Sequence, residues 1–244
     1  MTAKPFPFAL LVFSFLFFIS QPGYSATDAR VALVIGNGAY EHSPLENPVH
    51  DAEDMAAALK ACDFQVIQVV NADRRKMRNA IRTFGDEINK GAVGLFYFAG
   101  HGVQVNGENY LVPIGADARR EDEVPDECLR VTSVLRKMQT AGNRLNIIIL
   151  DACRNNPFRS AFRSSTRGLA KMDAPTGSIL AYATAPGSVA ADGSDDNGLY
   201  TAKLLTHMRT PGMKLEEVFK NVRIDPPLTP GLFSAPTSAN KNPR

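Results

Sequence analysis

The sequence predicts an α/β fold, a mostly parallel sheet with helices on both faces. Three observations carry that expectation. Short continuous apolar runs recur along the chain and stop at glycine or a polar residue, the pattern of strands buried on both faces. Between them lie stretches whose apolar residues return at helical spacing. The two kinds then alternate, which implies strand–helix–strand units in one sheet.

The elements follow in order. Arg30 to Gly36 is the first strand, and Asn37-Gly38 supplies a turn. From Val49 to Cys62, Ala52, Met55, Leu59 and Cys62 form the inner stripe of a helix. Phe64 to Val70 is the second strand. Asp73 opens a helix buried through Met77, Ile81, Phe84 and Ile88. Ala92 to Ala99 is the third strand, ending at Gly100-His101-Gly102, and 103–113 form a hairpin around Asn106-Gly107. An acidic loop, 117–127, leads to a helix near Thr132–Thr140. Leu145 to Leu150 is the fourth strand, ending at Asp151-Ala152-Cys153. A polar, basic loop fills 154–176, Gly177 to Thr184 is a fifth strand, and helices near Gly198–Met208 and Lys214–Val222 complete the pattern.

Composition excludes several classes. The 244 residues carry 27 Lys and Arg against 25 Asp and Glu, so no net basic field points to nucleic acid. Three cysteines are too few for a disulfide scaffold, and no Cys-x-x-Cys pair suggests zinc. Cys62 reads as a core residue of its helix, and a Cys62–Cys128 pair is allowed but not demanded by the spacing.

The first 26 residues read as an export label. Lys4, the apolar run Phe8–Ile19, the breaker Gln21-Pro22-Gly23 and then Ser25-Ala26 have the layout of a secretory signal peptide. The run is short for a membrane span, which needs about 20 residues. The expected organisation is therefore signal peptide 1–26, one domain over 27–223, and a proline-rich disordered tail over 224–244. The mature protein is expected to be exported, with no stable membrane span once the label is removed. An uncleaved anchor is the rival reading.

Parallel α/β sheets place their sites beyond the carboxyl ends of the strands. Two such ends carry reactive side chains, His101 and Cys153, with one crossover between them. If the strands are neighbours, an imidazole meets a thiol. The thiol is mostly protonated near its reference pKa of about 8.5, and the imidazole can withdraw its proton. Glycines on both sides of His101 let a substrate backbone approach, and the amides of Gly102 and Cys153 can form an oxyanion hole. Asp151, two residues before Cys153, is expected on the same strand face.

Phe96-Tyr-Phe-Ala-Gly-His-Gly-Val-Gln104 and Ile147-Ile-Ile-Leu-Asp-Ala-Cys-Arg-Asn155 closely resemble the two catalytic segments of caspase-like cysteine peptidases, nearest to the bacterial metacaspase/orthocaspase branch. An Ala-Cys-Arg run with its His about 50 residues upstream is a described caspase spacing. The resemblance runs from about Arg30 to Arg223. It includes Gly36-Asn37, Asn47-Pro-Val-His-Asp-Ala52, Glu108-Asn-Tyr-Leu111 and Ala181-Tyr-Ala-Thr184.

What the resemblance implies is a three-layer caspase-like fold and peptide-bond hydrolysis, with His101 as general base and Cys153 as nucleophile of a dyad. It also implies a pocket for the residue before the cut. Metacaspases carry Asp at the position of Asp151, and Asp51 matches a second acidic pocket residue. Two carboxylates there would bind Arg or Lys of a protein or peptide substrate. For Asp51 the rival role is complementing its helix dipole. Arg154, Arg159, Arg163, Arg167 and Lys171 make loop 154–176 a candidate for self-processing.

No cofactor is required for the chemistry. Ca²⁺ activation occurs in many metacaspases, and Glu108, Asp126 and Glu127 fall in roughly matching segments, an incomplete ligand set. The sequence departs from the family at Ala99, where a pocket hydroxyl is common, and in its C-terminal end. The alternative to an enzyme is a catalytically impaired caspase-fold interaction or regulatory module. Retention of both His101 and Cys153 favours the enzyme.

Overall fold

A computed structural model describes residues 29–88, 92–153, 157–158, 169–183 and 197–225. The expected export label, most of the basic loop and nearly all of the proline-rich tail lie outside these residues. The helices expected from periodicity are all present.

Five parallel strands form the main sheet in the order β2-β1-β3-β6-β7, namely Gln65–Val70, Arg30–Gly36, Val93–Val105, Leu145–Cys153 and Ser178–Tyr182. β4 (Glu108–Leu111) and β5 (Leu129–Arg130) add an antiparallel extension to the far half of β3.

The period-two alternation of the strands separates two cores. Val31, Leu33 and Ile35 of β1, with Phe96, Phe98, Ile148 and Leu150, meet α2 (Arg74–Glu87) and α4 (Val131–Thr140). Ala32 and Val34, with Leu95, Tyr97, Ile147 and Ile149, meet α1 (Pro48–Ala61), α5 (Leu199–Met208) and α6 (Leu215–Ile224). These are the three layers of the expected fold. A third apolar cluster fills the underside of the hairpin, around Val103, Val105, Tyr110 and Val112.

Several local expectations change. β3 does not stop at Ala99. It continues through His101 to Val105 because its far half pairs with β4, so the residues expected as a post-strand loop are strand. β6 likewise runs through Asp151 to Cys153, held by continued pairing to β3. The acidic loop contains a turn of 3₁₀ helix, Glu121–Glu123, and a single α turn, α3 (Val124–Glu127). Asn37, which follows β1 in the expected turn, contributes its side chain to the interior. It is fully buried, and its amide bridges Ala72 and Val112 while its oxygen accepts from Ala72 N–H at 2.9 Å. Cys62 is the partly exposed C-cap of α1 rather than part of its inner stripe, because Asp63, at φ 62°, turns the chain away. Cys62 and Cys128 are separate free thiols. Burial pushes the Cys128 thiol up to about 12, so that thiol is inert.

Candidate active site

Residue pairing across the sheet sets the geometry. β3 and β6 are parallel neighbours, and their register runs from Val93↔Leu145 to His101↔Cys153. The two residues therefore lie side by side on adjacent backbones where β6 ends. The Cys153 side chain is outside the described part of the structure.

His101 is fully buried and held from several sides. Its backbone N–H donates to the Tyr40 hydroxyl at 3.1 Å, which in turn donates to the Val112 carbonyl at 2.9 Å. Val112 N–H returns a bond to the His101 carbonyl at 3.0 Å, closing the ring. The Tyr40 ring lies 4.5 Å from the imidazole, centroid to centroid.

His101 Nε2 is 2.7 Å from the Ser43 carbonyl oxygen. A carbonyl can only accept, so Nε2 carries the proton and Nδ1 presents the lone pair. The Ser43 partner comes from the loop after β1 and is a backbone group, so no side-chain pattern in the sequence points to it.

Glycine is needed on both sides of His101, for different reasons. Gly100 has φ +152°, and a Cβ there would sit 2.8 Å from Tyr40 Oη and 2.9 Å from Phe98 Cζ. At Gly102 a Cβ would meet Leu169 Cδ2 at 2.9 Å and Ala152 Cβ at 3.1 Å. The ladder puts Gly102 opposite Leu111, and the His101–Val112 bond makes this the non-hydrogen-bonded site of the alternation. The Gly102 N–H therefore faces away from β4, toward the end of β6.

Asp151 and Asp51 come together although one is on β6 and the other on α1. Both converge on the N-terminus of α5. Asp51 Oδ1 accepts from Gly198 N–H at 2.9 Å, and Asp151 Oδ2 accepts from Thr201 Oγ1 at 2.7 Å. A Cβ built on Gly198 would lie 3.2 Å from Asp51 Oδ2 and 3.7 Å from Asp151 Oδ2, so the glycine leaves open the space between two carboxylates. Asp54, one turn further along α1, accepts from Asn197 Nδ2 at 2.6 Å and anchors the same segment.

Asp51 does not cap its own helix; its bond goes across to α5. Burial, and then the nearby Asp151 charge, push the Asp51 carboxyl up to about 8. Burial likewise raises Asp151 to about 6, opposed by the Thr201 hydroxyl. Among the described residues no basic side chain forms an ion pair with either carboxylate.

Among the acids considered for calcium, Glu108 Oε1 already accepts from Thr132 Oγ1 at 2.8 Å. No cluster of three His, Cys, Asp or Glu suited to a metal occurs among the described residues. No described helix is long and apolar enough to cross a membrane.

Comparison with known proteins agrees with this architecture. The caspase domain model matches residues 29–225. The human mucosa-associated lymphoid tissue lymphoma translocation protein 1 is 33% identical over 162 residues, 66% of this chain and 19% of its own length. A probable protease of a Desulfuromonadales bacterium is 28% identical over 181 residues, 69% of this chain and 20% of its own length. The chain thus spans about a fifth of these relatives.

Two solved structures share the fold. The Drosophila initiator caspase Dronc has a TM-score of 0.57 at 13% identity, over 79% of this chain and 70% of its own. Protein GSU0716 from Geobacter sulfurreducens has 0.63 at 20% identity, over 82% and 90%. The chain belongs to the caspase-domain family of cysteine peptidases.

Proposed function

We propose that this protein is a cysteine endopeptidase that hydrolyses peptide bonds after Arg or Lys, on the bacterial metacaspase/orthocaspase branch of the family, and that it works after export. The single observation that supports the chemistry is the β3–β6 register, which sets His101 beside Cys153. His101 Nδ1 takes the Cys153 proton while Ser43 holds Nε2–H in place. The thiolate adds to the carbonyl carbon, and the oxyanion is received by the Gly102 and Cys153 N–H groups. The imidazolium then protonates the leaving amine, and water hydrolyses the thioester, restoring the thiol. No step calls on a cofactor; Ca²⁺ would act on activation rather than on the chemistry.

The basic preference rests on Asp51 and Asp151. A buried carboxylate, Asp51, and a half-buried one, Asp151, around an opening at Gly198 gain most from a guanidinium or ammonium that restores their ionised forms.

The test uses protein lacking residues 1–26 and fluorogenic peptides ending in Arg, Lys or Asp, with and without Ca²⁺. Cleavage after Arg or Lys that vanishes in Cys153→Ala and in His101→Ala is the expected result. Cleavage only after Asp would remove the pocket assignment and leave the dyad. Binding of such peptides without any Cys153-dependent cleavage would instead favour a catalytically impaired module.

A further inference from the structure

Behind the acidic pocket, a hydrogen-bond chain joins three elements. Thr201 Oγ1 donates to Asp151 Oδ2 at 2.7 Å, and Tyr97 Oη lies 2.6 Å from the same Thr201 oxygen. Both Thr201 and Tyr97 are fully buried. A threonine hydroxyl has one hydrogen, which Asp151 takes, so Tyr97 must donate to Thr201. The chain therefore has one direction, from Tyr97 of β3 through Thr201 of α5 to one oxygen of Asp151 on β6.

This arrangement references both carboxylates to one turn of one helix. Gly198 N–H, the N-cap of α5, holds Asp51, and Thr201, in the first turn, holds Asp151. The spacing and orientation of the two acids are thus referred to one helix end rather than set by α1 and β6 separately. Leu204 and Leu205 root that helix in the core. Such rigidity matters unequally to the two basic side chains. A guanidinium is a planar fork that needs carboxylate oxygens at fixed positions, whereas an ammonium is a compact point charge with rotatable donors.

We propose that Thr201, backed by Tyr97, is a specificity-positioning residue that fixes the Asp151 carboxylate and makes the pocket prefer Arg over Lys. The inference rests on the basic-residue reading of the pocket and goes further by ranking the two substrates. Thr201 acts through Asp151 and touches no reacting atom.

The test separates this from the peptidase reading by measuring binding as well as turnover. Peptide amides ending in Arg or Lys are titrated calorimetrically into full-length Cys153→Ala protein, alone and combined with Thr201→Val, Thr201→Ser or Tyr97→Phe. Thr201→Val should weaken the Arg peptide about tenfold and the Lys peptide no more than about twofold. Thr201→Ser, which keeps the hydroxyl, should retain the Arg preference, and Tyr97→Phe should lose part of it.

The acid limb of Arg binding should also move to higher pH in Thr201→Val, because a bond favouring ionised Asp151 is gone. Among the described residues, the other ionisable groups that act on or with Asp151 are Asp51 of α1, Tyr97 of β3 and Tyr200 of α5, the last near Arg223 of α6. None of these residues is substituted in Thr201→Val, and only Tyr97 loses a hydrogen-bond partner, its acceptor Thr201 Oγ1.

Equal losses for Arg and Lys, or no loss, would overturn the proposal, as would a parent protein that binds both peptides alike. If Thr201→Val does not fold, an unchanged Arg-to-Lys ratio in Tyr97→Phe overturns it. Absence of Cys153-dependent cleavage in the parallel assay would remove the peptidase reading without touching this result.

Discussion

Tyr40 shows how much of the site is built from groups that do no chemistry. Its hydroxyl spans the His101 N–H and the Val112 carbonyl, and its ring flanks the imidazole. Replacing it with Phe keeps the ring and removes both bonds, so His101 should lose orientation without losing burial. Tyr40→Phe is expected to lower kcat on an Arg peptide roughly tenfold with KM nearly unchanged, read by steady-state kinetics. A parallel rise in KM would mean the substrate pocket had moved instead.

The same scale separates what a residue pattern can announce from what it cannot. His101 and Cys153 are legible because the chemistry proposed for them needs an imidazole and a thiol, which few residue types supply. Ser43 is illegible because it contributes a carbonyl, which every residue type has. Thr201 and Tyr97 are illegible for another reason: each has the spacing of an ordinary buried residue in its own element.

At the scale of the elements, the end of a strand and the start of a helix do most of the positioning. The far half of β3 carries His101 because β4 pairs with it, and Asn109 of β4 pins the returning chain through Ala170 at 2.7 and 2.8 Å. Leu169 then closes over Gly102. The N-terminus of α5 assembles the acidic pocket from α1 and β6, and Gly198 keeps it open. Gly198→Ala should place a methyl between the two carboxylates while leaving the fold intact. The expected result is a KM for an Arg peptide raised about tenfold, with the circular dichroism spectrum unchanged. An unchanged KM would show that the side chain enters elsewhere. Periodicity located α5 to within a residue, yet it could not show that the helix start faces two acids far apart in sequence.

For the whole molecule, the pocket has a cost in stability that depends on pH. Asp51 and Asp151 have folded-state pKa values of about 8 and 6, both above the usual carboxylate value of 3.8. Between about pH 4 and pH 8 the folded protein therefore holds more protons than the unfolded chain, and stability falls as pH rises through that window. The melting temperature should be several degrees higher at pH 5 than at pH 8 from this pair alone. Asp51→Asn should flatten that dependence in a thermal melt. An arginine amide should raise the melting temperature more at pH 8 than at pH 5, since it binds the ionised pair. By the same logic kcat/KM for an Arg peptide should rise with pH across the range 6–8, while a loss of activity over that range would oppose the pocket assignment.

What the sequence by itself determined is the layered α/β fold and the placement of a histidine and a cysteine at two strand ends. Apolar periodicity follows directly from which face of a strand or helix is buried, and a nucleophile and its base must be particular side chains. What only the tertiary structure decided is which distant residues meet: His101 with the Ser43 carbonyl, Asp51 with Gly198, and Asp151 with Thr201 and Tyr97. The physical reason is that these are single hydrogen bonds across long stretches of chain. They leave no periodic trace, and they exist only once the sheet register and the packing of α5 bring their atoms within reach.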